Sequence, residues 1–307
     1  MTYFLHILLH NIIPLSVLIA IGALLYGFFK LDLRTLSKLN FYLFSPAIIF
    51  KMLYESEISL AVLGQALLFF ALFMALLYLL VEVVLRIRRY SRGMKGAMRN
   101  SVLFYNSANY AIPLNQLVFV GDPFTMSVQI VIMMMQSLLP NTYGIYSVNA
   151  HKADRKDTMK RILSLPVIYV IPLGFLLRGF HVPIPEPIYQ PISYVADAFI
   201  ATALLTLGVQ LGSMKWQLKL SDVAISNVLR LLAGPALGFA VVWMLGFHGP
   251  LAQALVLSCS VPTSLSSVLL AVEFDSEPEF ASQAVFSSTV FSTFTVTLVI
   301  YLLQYLP

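Results

Sequence analysis

Apolar residues in this chain fall in long runs, without the polar stripe of a water-soluble helix or the alternation of a half-buried strand. Such runs read as helices that are apolar all round, and one crossing of a bilayer needs roughly 20 such residues. Polar or charged clusters cut the sequence into ten of them, near 7–29, 35–54, 60–85, 100–119, 124–148, 162–179, 188–211, 222–247, 251–272 and 279–305. The predicted fold class is therefore an all-α polytopic membrane protein with ten transmembrane helices. The first run has no basic residue before it and is longer than a signal-peptide core, so it is expected to be a retained span.

Composition sharpens this picture. The 307 residues are 59% hydrophobic and 11% charged, and mean hydropathy is +0.85; a soluble domain carries roughly twice that charge. Ten spans and their short connections use the whole length, leaving no room for a soluble domain. The formal charge of +5 does not point to nucleic acid, because the basic residues lie in short loops between apolar runs. Sixteen of the nineteen basic residues, in the clusters 30–38, 86–99, 152–161 and 215–219, fall on one side of a ten-span register. The positive-inside rule makes that side cytoplasmic and both termini extracytoplasmic, with Glu55, Glu57, Asp122 and Glu186 in the opposite loops. The acidic loop at Glu273, Asp275, Glu277 and Glu279 also falls inside, and acidic residues weigh little in the rule. Cys259 is the only cysteine, so no intramolecular disulfide and no cysteine metal cluster is possible. No residue pattern calls for a cofactor.

Five spans precede the basic loop 149–161 and five follow it, so the second five run upside down relative to the first. Pro14, Gly22, Gly27 and Phe28 recur as Pro166, Gly174, Gly179 and Phe180 at a constant offset. The expected organisation is a first five-helix repeat over 1–148, the loop 149–161, and a second repeat over 162–307. Spans four and nine each carry a proline, Pro113 and Pro262, within unusually polar text: Asn106-Ser-Ala-Asn-Tyr-Ala-Ile-Pro113 and Ser258-Cys-Ser-Val-Pro-Thr-Ser-Leu-Ser-Ser267. Pro113 has no N–H for the carbonyl of Asn109, nor Pro262 for that of Ser258, so both helices are expected to open near the bilayer midplane. If each restarts at its proline, two half-helix N-termini meet there and favour an anion. A lone proline kink in a span is ordinary packing; paired interruptions in both halves point to a transport site.

Asn106-Ser-Ala-Asn-Tyr-Ala-Ile-Pro-Leu114 resembles the Asn-x4-Gly-Ile/Leu-Pro-Leu segment of auxin efflux carriers, the family of the plant PIN-FORMED proteins and many bacterial permeases. Ala111 stands where that family usually has glycine. Val261-Pro262 followed by Ala271, Glu273 and Phe274, Arg230-Leu-Leu-Ala-Gly-Pro235, and Ser45-Pro46-Ala47 are similar to further family segments, in order along nearly the whole chain. The resemblance implies two inverted five-helix repeats whose fourth helices cross at their prolines. It also implies a dimerising scaffold of spans one, two, six and seven, and a mobile transport domain of spans three to five and eight to ten that moves elevator fashion. The plant carriers usually have a long hydrophilic loop between the halves; here only 149–161 remains, which makes a bacterial permease in the inner membrane the better likeness.

Asn106 matches the family's substrate-meeting asparagine, and its amide is the expected donor to a carboxylate. Asn109, Ser260, Thr263 and Ser264 flank the same breaks, as substrate contacts or as caps of the half-helices. Gln136, Ser288 and Thr289 either line the same cavity or bond between helices. Arg230 lies roughly 12 Å into span eight by helical rise, where an unpaired charge is costly, so pairing with a carboxylate or snorkelling is expected. Asp197 is a candidate proton site or a cross-helix partner. The predicted function is secondary transport of a small organic anion, malate-like or auxin-like, by a homodimer in the lipid bilayer, with proton or sodium coupling open. A sodium-coupled bile-acid-type symporter is the alternative within carriers. An intramembrane enzyme lacks Gly-x-Ser-x-Gly, His-Glu-x-x-His and Gly-x-Gly-Asp, and His6 and His10 lack a third ligand. A receptor or structural scaffold would not need two matched midplane breaks.

Overall fold

The computed structural model describes residues 2–55, 59–144, 147, 163–214 and 220–306. The basic loop 149–161, Glu57, Lys215 and Lys219 lie outside the described residues. Among those described, every regular element is helical, and the only β-type pairing is a single antiparallel bridge between Tyr105 and Thr263.

Among the described residues six helices are long and apolar enough to cross a membrane: α1 (Phe4–Phe29), α3 (Leu60–Arg88), α6 (Pro123–Gly144), α8 (Glu186–Ser213), α9 (Ser221–Leu245) and α12 (Pro278–Leu303). The other expected spans take different forms. Span two, α2, is helical over 33–55 through a π-turn at Asn40–Phe44. Span six, α7 (Pro166–Gly179), has 14 residues, about 21 Å at the helical rise and short of a roughly 30 Å hydrocarbon core. Spans four and nine are each two helices, α4 (Arg92–Leu103) with α5 (Ala111–Val118), and α10 (Gly249–Cys259) with α11 (Leu265–Glu273). Span four also starts about two turns earlier than the hydropathy implied: Ser91 caps the helix, and Arg99 in its second turn pairs with Glu82 of α3.

Helix starts follow short polar side chains that accept from otherwise orphaned N–H groups. Asp32 does this for α2, Ser59 for α3, Ser91 for α4 and Asp122 for α6. Hydrogen bonds from the Thr35 hydroxyl and backbone hold the Asp32 carboxyl below its ordinary range.

The packing of α3 shows how an all-apolar helix divides its surface. Phe69, Phe73, Leu77, Val81 and Leu85, four residues apart, lie in the core, while Leu68, Leu76, Leu79, Val83 and Ile87 face outward. An outward row of that size is stable against lipid and not against water. α1 runs along α8, and both α7 and α8 pack on α2. The first of these contacts needs glycine: a Cβ on Gly22 would overlap the carbonyl of Leu205, and one on Gly208 the carbonyl of Ile19. α4 packs on α3, α9, α11 and α12, and α10 packs on α6, α9 and α12. A second apolar cluster joins Ile48, Ile49 and Leu53 of α2 to Ile112 of α5, to Met126, Ile130 and Met133 of α6, and to Phe199 and Ala203 of α8. Ser276 donates to the carbonyl of Gly93, so the acidic 273–279 loop and the basic start of α4 share one end of the molecule.

Candidate functional site: the crossing of two broken helices

The helical ladder of span four stops at Leu103 and resumes at Ala111; that of span nine stops at Cys259 and resumes at Leu265. The two gaps lie against each other. The N–H of Asn106 donates to the carbonyl of Pro262 at 2.8 Å, and the N–H of Ser264 donates to the carbonyl of Phe104 at 2.8 Å. Each opened strand of backbone thus supplies what the other has lost.

The carbonyls at the end of α4 can be followed one by one. That of Asn100 accepts from the N–H of Phe104, and that of Ser101 from the Thr263 hydroxyl at 2.7 Å. That of Val102 accepts from Arg230 Nη1 at 3.0 Å, and that of Leu103 from Gln136 Nε2 at 3.2 Å. On the other strand the N–H of Thr263 donates to Ser288 Oγ at 3.1 Å, the Ser260 hydroxyl returns to the carbonyl of Leu257, and Arg230 Nη2 donates to the carbonyl of Cys259. An unmet buried backbone group costs about 1–3 kcal/mol, so this accounting is what makes two open helices tolerable inside the protein.

The prolines hold positions other than the expected ones. Pro113 is the third residue of α5 and Pro262 lies inside its gap, three residues before α11 begins, so neither helix restarts at its proline. The physical reason is that the first four N–H groups of a helix have no partner within it, so proline is accommodated over the whole first turn. Pro262 removes the donor that would continue α10 past Cys259, and its carbonyl is turned to Asn106. The α11 start is capped by Ser264, whose hydroxyl accepts from the N–H of Ser266 at 3.3 Å, whereas Tyr110 before α5 makes no side-chain cap.

The sequence-derived candidates divide accordingly. Asn106 is 6% exposed, and its Oδ1 accepts from the N–H of Asn109 at 3.1 Å; among the described residues no acceptor meets its Nδ2. The Asn109 side chain is half-buried, likewise without a protein partner among the described residues. Ser260, Thr263, Gln136 and Ser288 are buried and engaged in holding the breaks, and Thr289 donates to the carbonyl of Val285 at 2.8 Å. These five bond to backbone, Thr289 within its own helix and Ser260 to the last turn of α10.

Arg230 requires a correction. Its side chain is fully buried, and among the described residues no carboxylate pairs with it. The guanidinium instead ties the carbonyls of Val102 and Cys259 and lies over the Tyr105 ring, 4.7 Å from its centroid. A helix C-terminus carries partial negative charge, and two such ends substitute for the expected carboxylate. Asp197 sits away from the crossing: its side chain is 64% exposed and pairs with Lys51 at 2.7 Å. Lys51, which also donates to Ser193 at 2.8 Å, escaped the sequence reading, although a lysine interrupting Ile-Ile-Phe-Lys-Met-Leu in span two was a visible signal.

Among the described residues the chain is all-helical, with apolar outer faces and two broken helices that cross, which by class is an α-helical membrane protein. The family model described as "Membrane transport protein" matches residues 7–300, and the chain belongs to that family, the auxin efflux carriers. An uncharacterised transporter of Methanothermobacter thermautotrophicus is 25% identical over 164 residues, 53% of each chain. Auxin efflux carrier component 3a of Oryza sativa is 26% identical over 150 residues, 47% of this chain and 24% of the plant protein. Auxin efflux carrier component 3 of Arabidopsis thaliana is 28% identical over 129 residues, 40% and 20% of the two chains. The alignments thus span about half of the archaeal relative and a quarter or less of the plant carriers.

Proposed function

We propose that this chain is a secondary transporter of small organic anions, with the anion's carboxylate held at the crossing of spans four and nine. The observation that carries this reading is Asn106: an amide donor inside the protein, in the gap between the two halves of span four, whose Nδ2 has no protein acceptor among the described residues. A carboxylate accepts such a donor and is favoured by the partial positive charge of the uncapped α5 N-terminus. Asn109 completes the donor set. Pro113 shapes the α5 start, and Ser260, Pro262, Thr263, Ser264, Gln136, Ser288 and Thr289 keep the two gaps open and aligned.

In this reading the ten spans are two inverted five-helix repeats. The matched glycines support it: Gly22 of span one meets α8, and its counterpart Gly174 of span six lies against Leu53 of α2, where a Cβ would come to 3.2 Å. Spans one, two, six and seven then form a dimeric scaffold through α1–α8 and α2–α7 packing, and the remaining spans carry the site across the bilayer as an elevator. The cluster uniting α2, α5, α6 and α8 is the sliding surface, and it is apolar. Lys51–Asp197 belongs to the scaffold. The basic end of the molecule faces the cytoplasm of a bacterial inner membrane and both termini face outward.

Counterflow in proteoliposomes tests this, with labelled malate and indole-3-acetate as probes and choline and a neutral sugar as controls. Saturable exchange of a carboxylate, lost in Pro262→Ala and kept in Asp197→Asn, is the expected result. Exchange of choline or sugar but of no carboxylate would refute an anion site, and carboxylate exchange undiminished by Pro262→Ala would remove the crossing from the mechanism.

A further inference from the structure

The crossing brings together two helix C-termini as well as two N-termini. At a C-terminus the last carbonyls have no intrahelical donor and the macrodipole leaves partial negative charge. Carbonyls of unwound segments and half-helix C-termini are the ligands that secondary transporters offer to a coupling cation. Here the carbonyls of Val102, at the end of α4, and Cys259, at the end of α10, converge on one group, the guanidinium of Arg230.

Three features show that this place is shaped for the guanidinium. Arg230 sits in a π-turn, Leu229–Ala233, which widens α9 at that point. Residue 234, one turn on, is glycine: a Cβ there would stand 2.8 Å from Arg230 Nη2, 3.2 Å from its Cζ and 3.4 Å from the Cys259 carbonyl oxygen. The face of the Tyr105 ring closes the other side. A lysine ammonium would present a point charge, whereas the planar fork reaches both carbonyls at once and does not lose its proton.

We infer that Arg230 is a tethered cation, a positioning residue filling the place between the two half-helix C-termini that a monovalent coupling ion would otherwise take, so that the crossing assembles without sodium. This rests on the crossing being the transport site, but its consequences concern cations and can be read without any anion. The carbonyl pair of Val102 and Cys259 stays neutralised throughout, and a mobile cation has no vacancy there. Removing the side chain creates one.

Hydrogen exchange of the Asn106 and Ser264 amides reports on the crossing directly, because both donate across it. The purified full chain is compared in choline chloride, in sodium chloride and with low-millimolar guanidinium chloride added, for wild type, Arg230→Ala, Arg230→Lys and Gly234→Ala. Wild type should protect both amides equally in sodium and choline. Arg230→Ala should exchange them roughly ten-fold faster or more, the change expected for losing hydrogen bonds from a charged group, and added guanidinium should restore protection saturably. Arg230→Lys should fall between. Gly234→Ala keeps the charge but crowds the fork, and should loosen the same two amides even if Arg230→Ala fails to accumulate. Wild-type protection that rises with sodium, an Arg230→Ala protein protected like wild type or deaf to guanidinium, or unaltered exchange in Gly234→Ala would each overturn the inference. Carboxylate counterflow that fails while these cation effects hold would count against the anion site alone.

Discussion

Single side chains at the crossing have one of two jobs, closing an orphaned backbone group or leaving a donor free, and substitutions separate them. Ser288→Ala leaves the buried N–H of Thr263 without its acceptor, a loss of about 1–3 kcal/mol, which should lower the unfolding midpoint in detergent whether or not ligand is present. Asn106 belongs to the second kind but also closes a turn through Oδ1, so alanine would confound the two roles. Aspartate keeps that acceptor and replaces the free Nδ2 with a charged oxygen. Asp197→Asn breaks an ion pair whose carboxylate is largely exposed and should change stability by about 0–1 kcal/mol; a fall in carboxylate binding there would move the site toward the scaffold. The polar positions 106, 109, 260, 263 and 264 stood out in the sequence because polarity inside an apolar run is costly. Which of them spend their groups on backbone was not legible, since a serine that caps and a serine that binds have the same letter and spacing. Arg230 was misassigned for a related reason: the sequence shows charged partners, but not helix ends brought together from residues far apart in the chain.

Helices were located well where apolar runs are long, and less well where a run is interrupted on purpose. α1, α3, α8 and α12 begin and end within a few residues of the hydropathy boundaries, because a lipid-facing helix has little else to define it. Span four began too late in that reading, since its first two turns are polar and are held by the Ser91 cap and the Arg99–Glu82 pair. Pro262 lies in its gap and Pro113 just past the other, and neither marks a restart point; the gaps are bridged by the cross-strand hydrogen bonds of Asn106 and Ser264. Pro262→Ala offers a new N–H to the helix end at Ser258 and Cys259. It should draw α10 onward into the gap, weaken the Asn106–Pro262 bond and slow carboxylate exchange while the protein remains abundant. Gly22→Leu acts on a different contact: it forces α1 from the Leu205 backbone, with overpacking costing about 1–3 kcal/mol, and should lower the unfolding midpoint with little change in carboxylate affinity of the folded fraction.

For the whole molecule, the proposed orientation rests on the distribution of basic residues and the proposed function on the crossing. Cys259 is buried, so a cysteine introduced at Lys152 is the accessible thiol of the chain. It should react with membrane-impermeant maleimide only from the cytoplasmic side of oriented vesicles, and labelling from the opposite side would invert the topology. The proposed repeat rests on the offset of Pro14, Gly22, Gly27 and Phe28, whereas the pairing of α1 with α8 depends on tertiary contact and left no mark beyond its glycines. That a carboxylate binds where the two broken helices cross is tested most directly by thermal shift of the purified protein against a panel of mono- and dicarboxylates, followed by titration of the best one into wild type, Asn106→Asp and Asp197→Asn. Asn106→Asp should lose at least about ten-fold in affinity, as expected when a charge-assisted hydrogen bond of about 1.5–3 kcal/mol is replaced by repulsion, while unfolding like wild type without ligand and with Asp197→Asn binding normally. Equal affinity in wild type and Asn106→Asp would contradict binding at the crossing.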